Sequence, residues 1–184
     1  DRAGAGAVAG DALRAALAGG PVSLVTGFGG LGKTTLAVHT LHSVFAEQAS
    51  NVLVVRVKRN TSAEALKTEL VDVLATARGP KRGKASVDSL VDDALNETLV
   101  DLAETGAHVI VLDDLHNVSE TEAREFLRLI NRHARRSRWI VTMRGDPHIP
   151  ELVSQTVPLG AMSDVHLNEL AQALASRAGA AVDK

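Results

Sequence analysis

The chain has no cysteine and no tyrosine, and aromatic residues make up only 2% of its 184 positions. Without cysteine there are no disulfides and no thiolate metal sites, which fits a reducing compartment. So few aromatics argue against a platform on which nucleic-acid bases stack, and the core has to be built from Leu, Val, Ile and Ala. No apolar run approaches the ~20 residues that span a bilayer, and no signal peptide is visible. A cytoplasmic chain without membrane attachment is therefore expected. Neither sign of charge dominates. Lys and Arg number 20 against 22 Asp and Glu, a net −2, so nothing draws the whole surface to nucleic acid, although a local basic patch is still allowed. The length suits one domain with a substantial core. The first residue is Asp1 rather than Met, as in a fragment or processed chain.

What is present is concentrated in one glycine-rich stretch, Gly27-Phe28-Gly29-Gly30-Leu31-Gly32-Lys33-Thr34-Thr35. It matches G-x-x-x-x-G-K-[ST], a loop that cradles the phosphates of a nucleotide. Glycines let successive backbone N–H groups turn inward as an anion nest, and the dipole of the following helix adds about half a positive charge. Lys33 can reach the β- and γ-phosphates and the Thr34 hydroxyl can ligate Mg²⁺. The phosphate-binding candidates are Gly27, Gly29, Gly30, Gly32, Lys33, Thr34 and Thr35. A plain glycine-rich turn is the competing reading, but the context disfavours it. Pro21 to Thr26 reads as a buried strand and Thr34 to Phe45 as a helix, the strand–loop–helix order that the motif needs.

Along the rest of the chain, strand and helix patterns alternate. Residues 1–10 read as a flexible Ala/Gly-rich lead-in and 11–18 as a short helix, outside a nucleotide-binding domain over 21–160. Further strands are expected at 51–57, 108–114, 138–143 and around 156–158. Helices are expected at 61–77, 87–104 and 119–135, with capping-box spacing at Thr61 to Glu64 and at Ser119 to Glu122. A basic loop occupies 78–84, and a last amphipathic helix at 163–178 would open a further helical region over 161–184. Alternation of this kind implies an α/β fold, a mainly parallel sheet covered on both faces, with ligands gathering at the carboxyl ends of its strands.

Three chemical groups follow strand ends and should meet there. Val109 to Asp113 looks like a Walker B strand, and its carboxylate can serve Mg²⁺ opposite Thr34. Asp114 could orient or deprotonate the attacking water, although two acids at a strand end also make an ordinary cap or turn. Arg144 could contact the γ-phosphate and report whether ATP or ADP is bound; an ordinary surface arginine is the alternative. Arg124, Arg128, Arg132 and Arg135 share one helical stripe. Such a stripe is usually a solvated face, with an arginine finger from Arg135, Arg136 or Arg138 as the minority reading. His39 and His42 lie three apart without a third ligand, and His116 stands near the two aspartates with no role assigned.

Together, Gly27 to Ala37, Val109 to Asp114 and Ile140 to Arg144 resemble the STAND class of P-loop NTPases, and among them the NB-ARC (AP-ATPase) domains. The resemblance implies a three-layer ASCE-type fold, with a five-stranded sheet in the order 5-1-4-3-2. It also implies Mg²⁺ and ATP/ADP as cofactors, Thr34 and Asp113 at the metal, Asp114 as catalytic acid and Arg144 as sensor. The implied partners are a second copy in the ATP state and effector and sensor domains outside the chain; nucleic acid is not expected for this domain. There are departures. Met143 stands where the family's Thr-Thr-Arg sensor has its middle threonine, no arginine follows Val8-Ala9-Gly10 to hold adenine, and the ADP-clamping proline and histidine have no counterpart before Lys184. The closing half of the pocket is thus expected to lie outside this chain. Phe28 replaces the second lysine of the partitioning ATPases and disfavours them. AAA+ ATPases usually carry Glu at the position of Asp114, while the arginine cluster keeps them as the alternative, alongside a non-hydrolysing scaffold.

Overall fold

The computed structural model describes residues 2–44, 52–78, 95, 98, 108–133 and 137–160. The expected basic loop at 78–84 (beyond its first residue), most of the helix at 87–104 and the last helix at 163–178 lie outside them.

Helix α1 covers Arg2–Gly19, strand β1 Val22–Thr26, α2 Lys33–Val44, β2 Val52–Arg56, α3 Ala63–Arg78 and β3 Val109–Asp113. A short 3₁₀ turn at Leu115–Asn117 leads to α4 at Glu120–His133, then β4 at Arg138–Met143, a second 3₁₀ turn at Pro150–Gln155 and β5 at Thr156–Pro158. All five strands are parallel, in the order β2-β3-β4-β1-β5. This is the expected 5-1-4-3-2 order read from the other edge, and with helices on both faces the fold is a three-layer P-loop NTPase. Among the described residues, no helix is long and apolar enough to cross a membrane.

The sheet separates two cores, and strand periodicity decides which residues enter each. Val22 and Leu24 of β1, Ile110 and Leu112 of β3, and Trp139 and Val141 of β4 face α3 and α4, joining Leu66, Leu70, Phe126 and Leu127. Their neighbours Val25, Val109, Val111 and Ile140 face α1 and α2, joining Leu13, Leu17, Ala37 and Leu41. Every residue of β1 and β3 is buried, as strands covered on both faces require. At the edge, β2 leaves Val54 58% exposed.

The lead-in expectation is corrected. The Ala/Gly-rich opening is helical from Arg2, and α1 packs onto the domain through Leu13, Ala16 and Leu17. Alanine has the best intrinsic helix propensity, and burial of one apolar face offsets the glycine penalty. Both expected helix starts carry a cap. Ser119 and Glu122 form a reciprocal box, with Glu122 N donating to Ser119 Oγ at 3.3 Å and Ser119 N to Glu122 Oε2 at 3.2 Å. In α3 the cap shifts by one residue: Ser62 Oγ, rather than Thr61, accepts from Ala65 N at 3.2 Å.

Trp139 is the chain's single tryptophan. It is fully buried, and its indole N–H donates to Ser137 Oγ at 2.9 Å. Its emission should therefore shift to the red in a cooperative urea transition. Leu24→Ala, which empties a fully buried site in the same cluster, should lower stability by about 2–5 kcal/mol, read from the midpoint of that transition.

Candidate nucleotide site

Parallel pairing places the carboxyl ends of β1, β3 and β4 side by side, with Val25 opposite Thr142, Leu112 opposite Val141 and Arg56 opposite Asp113. The glycine-rich loop leaves β1 and enters α2 at this edge. Gly27 has φ 144°, and a Cβ there would stand 2.5 Å from the Leu159 carbonyl. Only glycine fits, because Leu159 N is itself tied to Thr26 O at 2.7 Å and cannot yield. Gly30 and Gly32 also take positive φ, 80° and 87°, which aims the loop's N–H groups as a nest does.

Lys33 is 6% exposed, and its ammonium donates to the Phe28 carbonyl across the loop at 2.8 Å. Thr34 Oγ1 donates to Asp113 Oδ1 at 2.7 Å. The same carboxylate oxygen accepts from Thr142 Oγ1 at 2.6 Å, and Thr142 Oγ1 in turn accepts from Asp114 N at 3.0 Å. A hydroxyl and a carboxylate facing each other in this way are hard oxygen donors of the kind that take Mg²⁺ together with nucleotide phosphates. Among the described residues, no group of three or more His, Asp or Glu is placed to hold a metal ion, and His39 and His42 are exposed residues of α2. Thr35 lies exposed in the first turn of α2.

Arg144 follows β4, and its guanidinium lies over the loop: a Cβ on Gly29 would meet its nitrogens and carbon at 3.4–3.7 Å. The site residues expected from sequence are thus brought to one edge. Of the arginine stripe, Arg124 is tied to Glu120 and to the Pro147 carbonyl. Arg128 and Arg132 border a hollow of about 120 Å³ with Ile149 and Leu152, away from the loop. Arg135 and Arg136 lie outside the described residues.

Sequence reasoning missed Arg56 and left Thr142 and His116 without roles. Arg56 ends β2, and its Nη2 lies 3.2 Å from Asp114 Oδ2, with Nε 3.9 Å from Asp113 Oδ2. A basic residue closing an apolar strand was the only available signal. Asp114 has φ 64° and ψ 40°, a left-handed conformation costing about 1–2 kcal/mol outside glycine. His116 Nδ1 lies 3.8 Å from Asp114 Oδ1. Burial lowers the His116 pKa from its ordinary value, and Arg144 and Lys33 push the same way against the opposing pull of Asp114 and Asp113.

A family model for the AAA domain matches residues 17–153. The chain belongs to the AAA domain family. It is accordingly a nucleotide-binding domain of the P-loop NTPase kind. Among solved structures, this AAA domain is similar to the Walker-type ATPase of Pyrococcus abyssi, with TM-score 0.55 and 13% identity over 86% of this chain and 54% of that one. It is also similar to Cdc6p from Pyrobaculum aerophilum, with TM-score 0.60 and 16% identity over 83% and 42%. A third likeness is to the ORC1 protein of Aeropyrum pernix in complex with DNA, with TM-score 0.57 and 18% identity over 96% and 50%. At these identities the likeness is one of fold, and the AAA domain spans about half the length of each neighbour. A comparison with curated proteins found no match.

The site's histidine has a consequence for folding. Burial lowers the pKa of His108 as well as that of His116. The unfolded chain therefore takes up protons first as pH falls, and stability drops through the window below about pH 6.5. Glu122 is also lowered, first by its hydrogen bond with Ser119 and then by that from Ala63 N, so its contribution is lost only at more acid pH, below about 4.5. Thermal melts between about pH 7.5 and 5.5 should show Tm falling with pH, and His116→Asn should flatten that slope.

Proposed function

We propose that this AAA domain is the ATP/ADP-binding core of a slow, switch-type ATPase of the STAND class, NB-ARC-like, in which ATP favours self-association and hydrolysis resets the state. The observation that carries the reading is the group formed by Thr34, Asp113 and Thr142 beside the Lys33 loop, with the Arg144 guanidinium against Gly29. Loop N–H groups and Lys33 would bind the β- and γ-phosphates, and Arg144 would distinguish ATP from ADP by contacting the γ-phosphate. Bound at Thr34 and Asp113, Mg²⁺ would supply charge neutralisation on those phosphates. Asp114 would accept a proton from water as the water oxygen attacks the γ-phosphorus. The bond from that phosphorus to its bridging oxygen then breaks, and ADP leaves with the electron pair. Arg56 engages the carboxylate of Asp114, and a base so occupied supports slow turnover over motor-like turnover.

A second reading, an AAA+ loader acting on DNA or protein, is favoured by the two exposed arginines of α4, Arg128 and Arg132. The ORC1 neighbour was solved with DNA, so nucleic acid is included as a partner to test. Stimulation of turnover by DNA would favour the loader.

In the full-length protein, Lys33→Ala should abolish binding of a fluorescent Mg-ATP analogue. Asp114→Asn should keep that binding and lose about 10²–10⁴-fold in turnover, the usual contribution of a general base. Absence of Mg-nucleotide binding by the unsubstituted protein would overturn both readings. Arg56→Ala should raise basal turnover several-fold while leaving stability within about 1 kcal/mol, because an ion pair to an exposed arginine contributes little.

A further inference from the structure

One buried group is left over by this chemistry. His116 Nδ1 is shielded from solvent and has no hydrogen-bond partner among the described residues. Buried nitrogens are nearly always paired, so an unpaired one calls for an explanation. The ring is held where it stands. The left-handed Asp114 turns the chain back on itself, Leu115 is fully buried, and Asn117 Nδ2 donates to the Val57 carbonyl at 2.8 Å. The imidazole consequently stays beside the Asp114 carboxylate, with Nδ1 3.8 Å from Oδ1, about 0.6 Å beyond the ordinary N–H···O range.

The two oxygens of Asp114 thus face different neighbours. Oδ2 is engaged by Arg56, whose side chain is 76% exposed; such a pair is screened by water and easily exchanged. Oδ1 faces the half-buried ring at its solvent-shielded Nδ1, where a hydrogen bond to a carboxylate is stronger because less water competes.

We propose that His116 is a positioning residue for Asp114: when Arg56 releases Oδ2, the carboxylate rotates to accept the His116 Nδ1–H at Oδ1 and is held in its water-activating orientation. The inference rests on the reading of Asp114 as the general base. It gives the unpaired nitrogen a partner in the working state and makes Arg56 and His116 alternative holders of one group.

The test uses the full-length protein with His116→Ala, His116→Gln and His116→Asn, measuring steady-state ATP hydrolysis, binding of a fluorescent ADP analogue and Tm. An asparagine amide stands at the position of Nδ1, whereas a glutamine amide stands at that of Nε2. Ala and Gln should lower kcat by about 10–100-fold with KM and ADP affinity unchanged, the range seen when supporting hydrogen bonds are removed, and Asn should restore most of kcat. A merely structural ring would instead lower Tm and kcat together, with Asn and Gln alike, and that result overturns the proposal. Unchanged kcat in all three variants overturns it too. Asp114→Asn separates the two levels. If it abolishes turnover while the His116 variants are normal, only the positioning role fails; if it leaves turnover intact, the general-base reading fails and the inference with it.

Discussion

One carboxylate oxygen holds this site together. Asp113 Oδ1 accepts hydroxyl hydrogen bonds from Thr34 on α2 and Thr142 on β4, so three elements distant in sequence meet at one atom. Asp113 is 3% exposed. An anion so buried needs hydrogen-bond partners, and the two threonines supply both hydrogen bonds that Oδ1 accepts. The register of β3 with β4 and of β4 with β1 is therefore a chemical requirement as well as a packing one. A slip by one residue would turn Thr142 to the opposite face of the sheet and leave Asp113 Oδ1 with the Thr34 hydroxyl alone.

The same arrangement explains why the two adjacent acids behave differently. Asp113 ends a strand in regular geometry and is locked from both sides. Asp114 leaves the strand in a left-handed conformation, with its backbone N–H tied to Thr142 and its carboxylate turned toward the exposed Arg56. Strain of this kind persists where surrounding structure over-determines it, and it clusters at functional sites. Here the surroundings are the Thr142 hydroxyl on one side and the anchored turn at Leu115 and Asn117 on the other. Asp113 has one stable arrangement, whereas Asp114 has a neighbour at each oxygen.

What was legible in the sequence follows from how local the signal is. The phosphate loop spans nine consecutive positions whose residue types each have a stated physical use, and the structure returns it at the junction of β1 and α2. The strands could be read because β3 is a continuous apolar run up to Asp113 and β1 is a mainly apolar one between Pro21 and the glycine-rich loop. Their order came from resemblance, and the sheet has that order. Arg56 stands 58 residues from Asp114 in sequence; only the parallel register of β2 with β3 makes them neighbours, and no periodicity in either segment announces it. Of the opening helix, 11–18 was expected and the stretch before it, 2–10, was missed for a different reason. Glycines among alanines weaken intrinsic propensity, and what compensates is tertiary burial of Leu13, Ala16 and Leu17 against α2 and the sheet, which sequence alone does not display.

Membership of the AAA domain family and a sheet shared with Walker-type ATPases describe machinery that motors, loaders and switches all use, so the distinction has to come from the site. Two features of this chain bear on it. The loop lysine is folded onto its own Phe28 carbonyl, and the second acid is held by an arginine from the edge strand. The Arg56 contact is an ion pair to an exposed side chain and is worth little by itself, whereas the Lys33 contact is a single hydrogen bond from a buried ammonium at the loop. Under the proposed reading, phosphate oxygens would replace both contacts and so select a different arrangement of the loop lysine and of Asp114. A ligand shifts such an equilibrium only by its differential affinity for the two states. ATP and ADP differ by one phosphate, and under the proposed reading Lys33, Arg144 and Asp114, with His116 behind it, would register that difference. A domain working as proposed would use the phosphate mainly to choose between arrangements, and fast turnover would shorten the life of the choice.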